Sequence, residues 1–275
     1  MKSKAEFRSA LIGFFLLFSA FNCQLIAAEG TKQQRRDFYK KAQFVCRVHL
    51  EFKINFYDTA VKSSGTIAVP PSDVGSCSII FYRKRKYIVT NAHVVTIRKE
   101  EIDQILRTFF LNVQDFSRFT QIQAQIISSK IHLKTSPGTG IEVMPKYINP
   151  DVDLALLDPI NKNSYKKLRA APLGDEKDIE VTDPVMNISN PGDLQFVFNS
   201  GSISKIARYQ KNGRNYLRII TTPMTDRGSS GSPLLNEQGR CIGINYGGYF
   251  DRSIPYSIFI HVRDVKRYLK SIPLK

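Results

Sequence analysis

The sequence predicts an all-β protein with two consecutive six-stranded β-barrels, an amino-terminal arm or helix and a carboxy-terminal helix. Many short segments of strand-like composition are separated by turn residues, which is typical of sandwiches and barrels. A polar segment at residues 159–173 divides them, and residues 260–272 carry apolar side chains at helical spacing. Since 42% of the 275 residues are apolar, the chain has enough apolar material for real cores.

The first 28 residues have the composition of a secretory signal peptide. Three basic side chains precede an apolar run at residues 10–21, and small residues follow at Ala27 and Ala28. The run is shorter than the roughly 20 residues that a membrane-spanning helix needs. We therefore expect a secreted or periplasmic protein; an uncleaved anchor is the alternative, and a lipidated amino terminus at Cys23 ranks lower.

The remaining chain is divided by its pattern of strands and turns. Residues 65–69 and 76–82 are predicted as separate strands because Pro70 and Pro71 lie between them, and residues 97–110 are predicted as a helix. Residues 159–173 are predicted as a surface linker. The expected organisation is a signal peptide at 1–28, an arm or helix at 29–60 that leads into the first strands, a first barrel at 61–160, and a second barrel with the terminal helix at 161–275.

The chain is strongly basic, with a net charge of +16. Such a surface favours anionic surroundings, which predicts an attraction of the protein to anionic surfaces. The densest basic run, Arg83–Lys86, lies between two strand-like segments, which predicts a solvated hairpin turn rather than a nucleic-acid patch. No nucleic-acid-binding motif is recognisable, and no nucleic-acid partner is expected.

Three cysteines follow the predicted signal peptide, and an odd number leaves at least one thiol unpaired within the chain. Cys77 and Cys241 lie in apolar runs, which favours small buried side chains over a catalytic or disulfide role. No group of cysteines and histidines has the spacing of a metal site. The sequence therefore predicts neither a metal nor a cofactor.

Three separate segments carry residues suited to nucleophilic catalysis. An apolar strand runs into His93, a carboxylate at Asp153 stands at the head of another apolar strand, and Ser230 lies between Gly228 and Gly231. A buried carboxylate needs a hydrogen-bonding partner, and a histidine ring N–H supplies one. Glycines allow unusual backbone conformations, so a serine between them can present its hydroxyl outward.

Each segment alone has an ordinary structural alternative: a core histidine, a strand-end cap and a flexible turn. Asp151, directly after Pro150, suits a turn role better than Asp153 does. Together the segments are more specific, because their order His-Asp-Ser is that of the chymotrypsin fold. Spacings of 60 and 77 residues leave room for the rest of the two barrels.

The motifs Thr-Asn-Ala-His-Val-Val, Asp-Leu-Ala-Leu-Leu and Gly-Ser-Ser-Gly-Ser-Pro resemble those of trypsin-like serine proteases secreted by bacteria. The chain is similar both to the glutamyl endopeptidases and to the protease domain of the HtrA/Deg type. No PDZ domain is expected after the terminal helix. Ser229 stands where digestive proteases carry an aspartate, so activation through a new amino terminus is not implied.

This resemblance implies roles for several residues. The implied catalytic residues are His93, Asp153 and Ser230, and the implied oxyanion-hole donors are the backbone N–H groups of Gly228 and Ser230. The residues expected to bind substrate are Met224, Thr225, Asn245, Tyr246 and Gly247. Asn245 replaces a histidine that binds glutamate in the glutamyl branch, whereas Thr225 matches another pocket residue of that branch.

The expected function is therefore hydrolysis of peptide bonds by a secreted serine endopeptidase, acting on protein or peptide substrates. The alternative is a protease-fold protein with little or no turnover that binds peptides or anionic polymers. No stable insertion in a membrane is expected once the signal peptide is cleaved.

Overall fold

The structure is a computed structural model that describes residues 44–59, 62–109, 122–135, 140–222, 225–249 and 255–273. The predicted signal peptide and residues 29–43 of the predicted arm or helix at 29–60 lie outside the described residues. No helix in the described ranges is long and apolar enough to cross a membrane.

Seven strands form the first sheet. They are β1 Val45–Asp58, β2 Ser63–Tyr82, β3 Arg85–Thr90, β4 Ile122–Thr135, β5 Gly140–Asn149, β6 Leu154–Pro159 and β7 Ala171–Pro172. The order is β1-β4-β5-β6-β3-β2-β7, and an additional pairing of β1 with β2 closes six of the strands into a ring. From Val48 to Asn55, buried residues of β1 alternate with less buried ones, as expected for a strand with one face on a core.

The second sheet is a closed barrel of six strands. They are β8 Pro184–Ser189, β9 Val197–Lys211, β10 Arg214–Thr221, β11 Pro233–Asn236, β12 Cys241–Tyr249 and β13 Tyr256–His261. The barrel order is β10-β13-β12-β11-β8-β9. Its core is made of fully buried aliphatic and aromatic side chains, among them Ile188, Ile203, Ile219, Leu234 and Phe259. The two barrels confirm the predicted fold class.

The helices in the described ranges are few and short. They are α1 Ala92–Val95, α2 Lys99–Phe109, α3 Lys162–Lys166 and α4 Val262–Ser271, with a 3₁₀ turn at Glu176–Asp178. Helix α4 confirms the predicted terminal helix and buries one face that includes Val262, Val265 and Leu269. The His261 side chain accepts a hydrogen bond from the Arg263 N–H and so caps this helix.

One predicted interruption between strands is wrong. Residues 65–69 and 76–82 belong to one strand, β2, and the two prolines lie where the pairing of β1 with β2 shifts register. Prolines are tolerated at such irregularities because no ladder hydrogen bond is needed there. The predicted linker at 159–173 contains α3 and β7, so it is not entirely irregular.

Two other predictions are confirmed. The basic run at Arg83–Lys86 forms the hairpin between β2 and β3, with Arg83 and Lys84 at positive φ in the turn. Cys46, Cys77 and Cys241 are buried and form no disulfide within the described residues, and Cys46 lies opposite Cys77 across β1 and β2. Burial raises the pKa of the Cys77 and Cys241 thiols, which keeps them protonated and unreactive.

Candidate active site

His93 lies on α1, directly after β3. Strand β3 is buried at its end, at Ile88, Val89 and Thr90, and the single helical turn α1 follows it. Ala92 and Val94 on either side of His93 are buried, so the imidazole is directed outward and 42% of its side chain is exposed. A histidine in this position is anchored by its neighbours yet accessible to a ligand.

Asp153 lies in the turn between β5 and β6. The turn is held by the Asn149 Oδ1 atom, which accepts hydrogen bonds from the N–H groups of Asp151 and Val152. Asn91 donates to the Asp153 carbonyl at 3.0 Å, which connects this turn to the residues before His93. Asp153 has φ of +60°, a conformation that aspartate and asparagine tolerate better than most residues.

Both carboxylate oxygens of Asp153 contact His93. Oδ2 lies 2.7 Å from Nδ1 of the imidazole, and Oδ1 accepts a hydrogen bond from the His93 backbone N–H at 3.0 Å. Because an ionised carboxylate only accepts, this contact assigns the proton of the neutral ring to Nδ1. The lone pair of Nε2 is then available to take a proton from another group.

The loop around Ser230 is shaped by two glycines. Gly228 and Gly231 have φ of +91° and +89°, which favours glycine. Between them, Ser229 is fully buried and its Oγ donates to Ser189 Oγ at 3.1 Å. Ser230 is only partly buried. The two adjacent serines therefore have different environments, one structural and one accessible.

The Ser230 loop is attached to the first barrel by strand β2. The Ser76 N–H donates to the Ser230 carbonyl at 2.8 Å, and Ser76 Oγ donates to the Gly228 carbonyl at 2.8 Å. Ser78 Oγ donates to the Gly231 carbonyl at 2.7 Å. Two serines of β2 thus bind three carbonyls of the loop, at the border between the two barrels.

This attachment brings the loop close to the histidine turn. A Cβ atom added to Gly75 would lie 2.9 Å from the Val94 methyl groups and 3.1 Å from the Ser230 carbonyl oxygen. The residue after His93 and the backbone of Ser230 therefore pack against the same glycine. Within the described residues, no hydrogen bond joins Ser230 Oγ to the His93 ring. Such bonds are often long in proteins without substrate.

Replacement of Gly231 by alanine is expected to lower both stability and activity. The new Cβ would clash with the Ser76 carbonyl oxygen and with Thr90 Oγ1, so the loop must move away from β2. A positive φ alone costs a non-glycine residue about 1–2 kcal/mol. Thermal unfolding and kcat/KM measure the two effects.

Gly239→Ala is the matched control for this variant. Gly239 also has a positive φ, of +70°, but no atom lies within 4 Å of the added Cβ. Equal losses for the two variants would show that backbone strain, and not the contact with β2, explains the effect.

Two backbone N–H groups of the loop have no protein acceptor within the described residues. They belong to Gly228 and Ser230, whereas the N–H of Ser229 donates to the Asp226 carbonyl at 2.9 Å. Unpaired donors beside an accessible hydroxyl are the components of an oxyanion hole.

A polar cluster lies in the second barrel near this loop. Thr225 and Asn245 are buried, and Asn245 Nδ2 donates to Thr225 Oγ1 at 3.1 Å. Ser257 on β13, which the sequence analysis did not single out, contacts Thr225 Oγ1 through its Oγ at 2.8 Å. The Asn245 Oδ1 atom is buried without a hydrogen-bond partner in the described part of the chain. Met224, the remaining predicted pocket residue, lies outside the described residues.

Strand β12 continues past this cluster and offers backbone groups on one side. Its pairing with β11 ends at Ile244, whereas its pairing with β13 continues through Gly247 and Gly248. Within the described ranges no second strand pairs with these two glycines. Tyr246 is exposed beside them. The arrangement leaves room for an extended chain to pair there.

A cleft of about 340 Å³ adjoins the histidine and the aspartate. Its walls come from both barrels and are formed by His93, Arg98, Pro150, Asp151, Asp153, Tyr209, Lys211, Arg218 and Tyr246. Two larger depressions, of about 670 and 700 Å³, lie elsewhere on the surface and contain none of the candidate catalytic residues. The smaller cleft is the candidate functional site because His93 and Asp153 line it. The described residues contain no group of acidic, histidine or cysteine side chains suited to hold a metal.

Comparisons with known proteins agree with this architecture. The periplasmic serine endoprotease DegP of Salmonella typhimurium is 34% identical over 119 residues, which are 43% of this chain and 24% of the relative. A probable DegP-like periplasmic serine endoprotease of Chlamydia trachomatis is 28% identical over 155 residues, or 54% of this chain and 29% of the relative. The chain thus spans about a quarter of the length of these relatives.

Solved structures are similar in fold. The HtrA-type protease AlgW with a decapeptide superposes with a TM-score of 0.57 at 20% identity, over 84% of this chain and 64% of AlgW. These findings confirm the resemblance to the HtrA/Deg type. A model of the trypsin-like peptidase domain matches residues 75–244, more than half of the chain. The chain therefore belongs to the trypsin-like peptidase domain family.

Proposed function

We propose that this protein is a serine endopeptidase that hydrolyses peptide bonds through Ser230, His93 and Asp153. The observation that carries the proposal is the pair of contacts between His93 and both oxygens of Asp153, beside a serine loop bound to the neighbouring strand. The relatives named as serine endoproteases support the same reaction.

In the proposed mechanism His93 is the general base. Its Nε2 takes the proton of the Ser230 hydroxyl as the serine oxygen attacks the peptide carbonyl carbon. Asp153 keeps the Nδ1 proton in place and stabilises the imidazolium that forms. The imidazolium then protonates the leaving amine, and an acyl-enzyme remains. Water, activated by His93, hydrolyses the acyl-enzyme and restores the serine.

The negative charge on the carbonyl oxygen needs donors during this attack. The backbone N–H groups of Gly228 and Ser230 have no protein acceptor in the described residues and are proposed to bind this oxygen. Removing one such donor in other hydrolases costs about 10²–10³ in turnover, so two fixed donors make a large contribution. No cofactor takes part in the proposed reaction.

The substrate is proposed to bind as an extended strand against β12. Gly247 and Gly248 offer backbone hydrogen bonds on the side that no described strand occupies, and Tyr246 lies beside them. The side chain before the cleaved bond would enter the cluster of Thr225, Asn245 and Ser257. Met224 stays a pocket residue predicted from the sequence alone. AlgW, which is similar in fold, has been solved with a decapeptide, and this supports a peptide as the class of substrate.

The pocket favours uncharged side chains. Thr225, Asn245 and Ser257 carry no charge, so the cluster offers no ionic partner to a charged side chain of the substrate. Asp226 is exposed and its Oδ1 accepts from the Arg227 N–H, so it supplies no counter-ion for a lysine or arginine. We expect cleavage after small or uncharged polar residues, with glutamate as the next preference.

Digestion of a peptide library by the purified protein tests both the reaction and the pocket. Mass spectrometry of the products should show cleavage at internal bonds, and a fluorophosphonate probe should label the protein at Ser230. Absence of both cleavage and labelling would favour the alternative, a protease-fold protein that only binds peptides or anionic polymers. Cleavage dominated by lysine or arginine would contradict the pocket hypothesis and indicate Asp226 as the missing charge.

The proposed location is the periplasm or the exterior of a bacterial cell. The first 28 residues have the composition of a signal peptide, and the curated relatives are named as periplasmic.

A further inference from the structure

Arg218 is a buried cation in the cleft beside the candidate catalytic residues. It lies on β10 with only 6% of its surface exposed. Its guanidinium carbon lies 5.2 Å from the ring centre of Tyr246, 5.3 Å from that of Tyr209 and 5.9 Å from that of Tyr216. Cation–π contacts with three tyrosines hold the guanidinium in one place.

Most of the hydrogen-bonding capacity of this side chain is unused. A guanidinium has five N–H donors, and within the described residues Arg218 makes one hydrogen bond, from an Nη atom to the Leu217 carbonyl at 3.2 Å. No carboxylate lies within ion-pair distance of it in the described part of the chain. Burial lowers the pKa of Arg218, against the attraction of Asp264 and Asp153. A buried charge without an oppositely charged partner is costly in free energy. An anion that binds to the guanidinium would lower this cost.

The unused donors reach the cleft. None of the Arg218 nitrogens is among the described side-chain atoms that are sealed from solvent without a partner, and Arg218 lines the cleft together with His93. The other charged groups there have protein partners. Arg98 pairs with Glu101, Lys211 donates to the Pro150 carbonyl, and Asp153 contacts His93.

The cleft is walled by both barrels at this place. The hairpin between β9 and β10 reaches the turn that carries Asp153: Lys211 Nζ donates to the Pro150 carbonyl at 2.8 Å, and Asn212 Nδ2 donates to Asp151 Oδ1 at 2.7 Å. A group that enters between Tyr246 and this hairpin meets the face of Arg218.

We infer that Arg218 binds the carboxylate of an aspartate or glutamate side chain in the substrate, two to four residues before the cleaved bond. The inference rests on the proposed function, because it assumes that the substrate pairs with β12 beside Tyr246. The residue directly before the bond is directed to the separate cluster of Thr225, Asn245 and Ser257. A planar guanidinium binds a carboxylate through two parallel hydrogen bonds, which gives both affinity and geometric selectivity.

Matched peptides that differ only in glutamate or glutamine test this inference. All peptides have the same preferred residue directly before the cleaved bond. In each peptide, one of the three residues that precede it is either glutamate or the isosteric glutamine. For the wild-type protein, kcat/KM should be about 10-fold or more higher with glutamate at one of these positions, as expected for hydrogen bonds to a charged group. In the Arg218→Met variant, the ratio of kcat/KM for the glutamate peptide to kcat/KM for the glutamine peptide should fall close to one.

Two further variants separate the local contact from general effects. Arg208→Gln removes one positive charge from an exposed site on the adjacent strand β9 and should keep the wild-type ratio. Arg218→Lys keeps the positive charge but loses the planar guanidinium that donates two parallel hydrogen bonds. This variant should therefore lower the glutamate-to-glutamine ratio of kcat/KM, and it provides a test even if the methionine variant does not fold. Circular dichroism and fluorophosphonate labelling establish that each variant is folded and has a reactive serine.

The outcomes distinguish this inference from the proposed function. Cleavage of the glutamine peptides by the wild type, with a glutamate-to-glutamine ratio near one at all three positions, would overturn the inference and leave the proposed function intact. A folded Arg218→Met variant that loses activity on both peptides equally would also overturn it, because Arg218 would then act through Asp153. Failure of the wild type to cleave any peptide or to react with the probe would reject both.

Discussion

Replacement of Ser230 by alanine is expected to abolish peptidase activity. The hydroxyl is the proposed nucleophile, and without it the acyl-enzyme cannot form. The residual rate should not exceed the acceleration of about 10³–10⁴ over water that binding and an oxyanion hole provide. Steady-state kinetics on the best library peptide measures the loss, and fluorophosphonate labelling should disappear with it.

Ser229→Ala is the matched control, because it removes the same hydroxyl one residue earlier. Ser229 is buried, and its Oγ accepts from the Asp226 N–H and donates to Ser189. Its loss should cost about 1 kcal/mol of stability and leave substantial activity. If Ser229→Ala were inactive and Ser230→Ala active, the nucleophile would be Ser229.

The fold class could be predicted from the sequence because its signals are local. Alternating burial along β1 and the apolar runs of β3 and β6 appear directly in the order of residues. The same holds for helix α4, whose apolar positions recur at helical spacing. The local pattern gave a wrong prediction at β2, where two prolines suggested that the strand is interrupted. The prolines are accommodated by a register shift against β1, and such a shift depends on the partner strand.

The candidate catalytic residues could also be found in the sequence, because glycines and strand ends mark their positions. To predict the contact between His93 and Asp153, it was enough to assume that two short sequence motifs lie close together in the fold. The boundary between the two barrels at residues 160 and 161 stays a prediction, as do the roles assigned to the site residues.

The residues that surround the candidate catalytic residues and bind their loops could not be predicted from the sequence. Ser76 and Ser78 bind the Ser230 loop across more than 150 positions of sequence, and nothing around them distinguishes them from other strand serines. Ser257 and Arg218 become recognisable only when β10, β12 and β13 are adjacent in the barrel. One signal was available for Arg218: it is a charged residue inside an otherwise apolar run, between Leu217 and Ile219.

Replacement of Asp153 by asparagine is expected to lower kcat by about 10⁴ while the protein stays folded. The asparagine Oδ1 can still accept from the His93 backbone N–H, but its amide now donates to Nδ1 where the carboxylate accepted. The ring proton therefore moves to Nε2, which can no longer take the proton of Ser230. Asparagine is the suitable replacement because it tolerates the φ of +60° that Asp153 adopts.

Asp151→Asn is the matched control for this prediction, since it removes a carboxylate from the same turn. Asp151 Oδ1 accepts a hydrogen bond from Asn212 Nδ2, and an asparagine oxygen can accept the same bond. Activity should therefore change by only a few-fold, in contrast to the loss at Asp153, and the thermal unfolding of the two variants should be similar. A larger loss of kcat at Asp151 than at Asp153 would reject the assignment, because the carboxylate that orients the imidazole would then be the one bound to the β9–β10 hairpin.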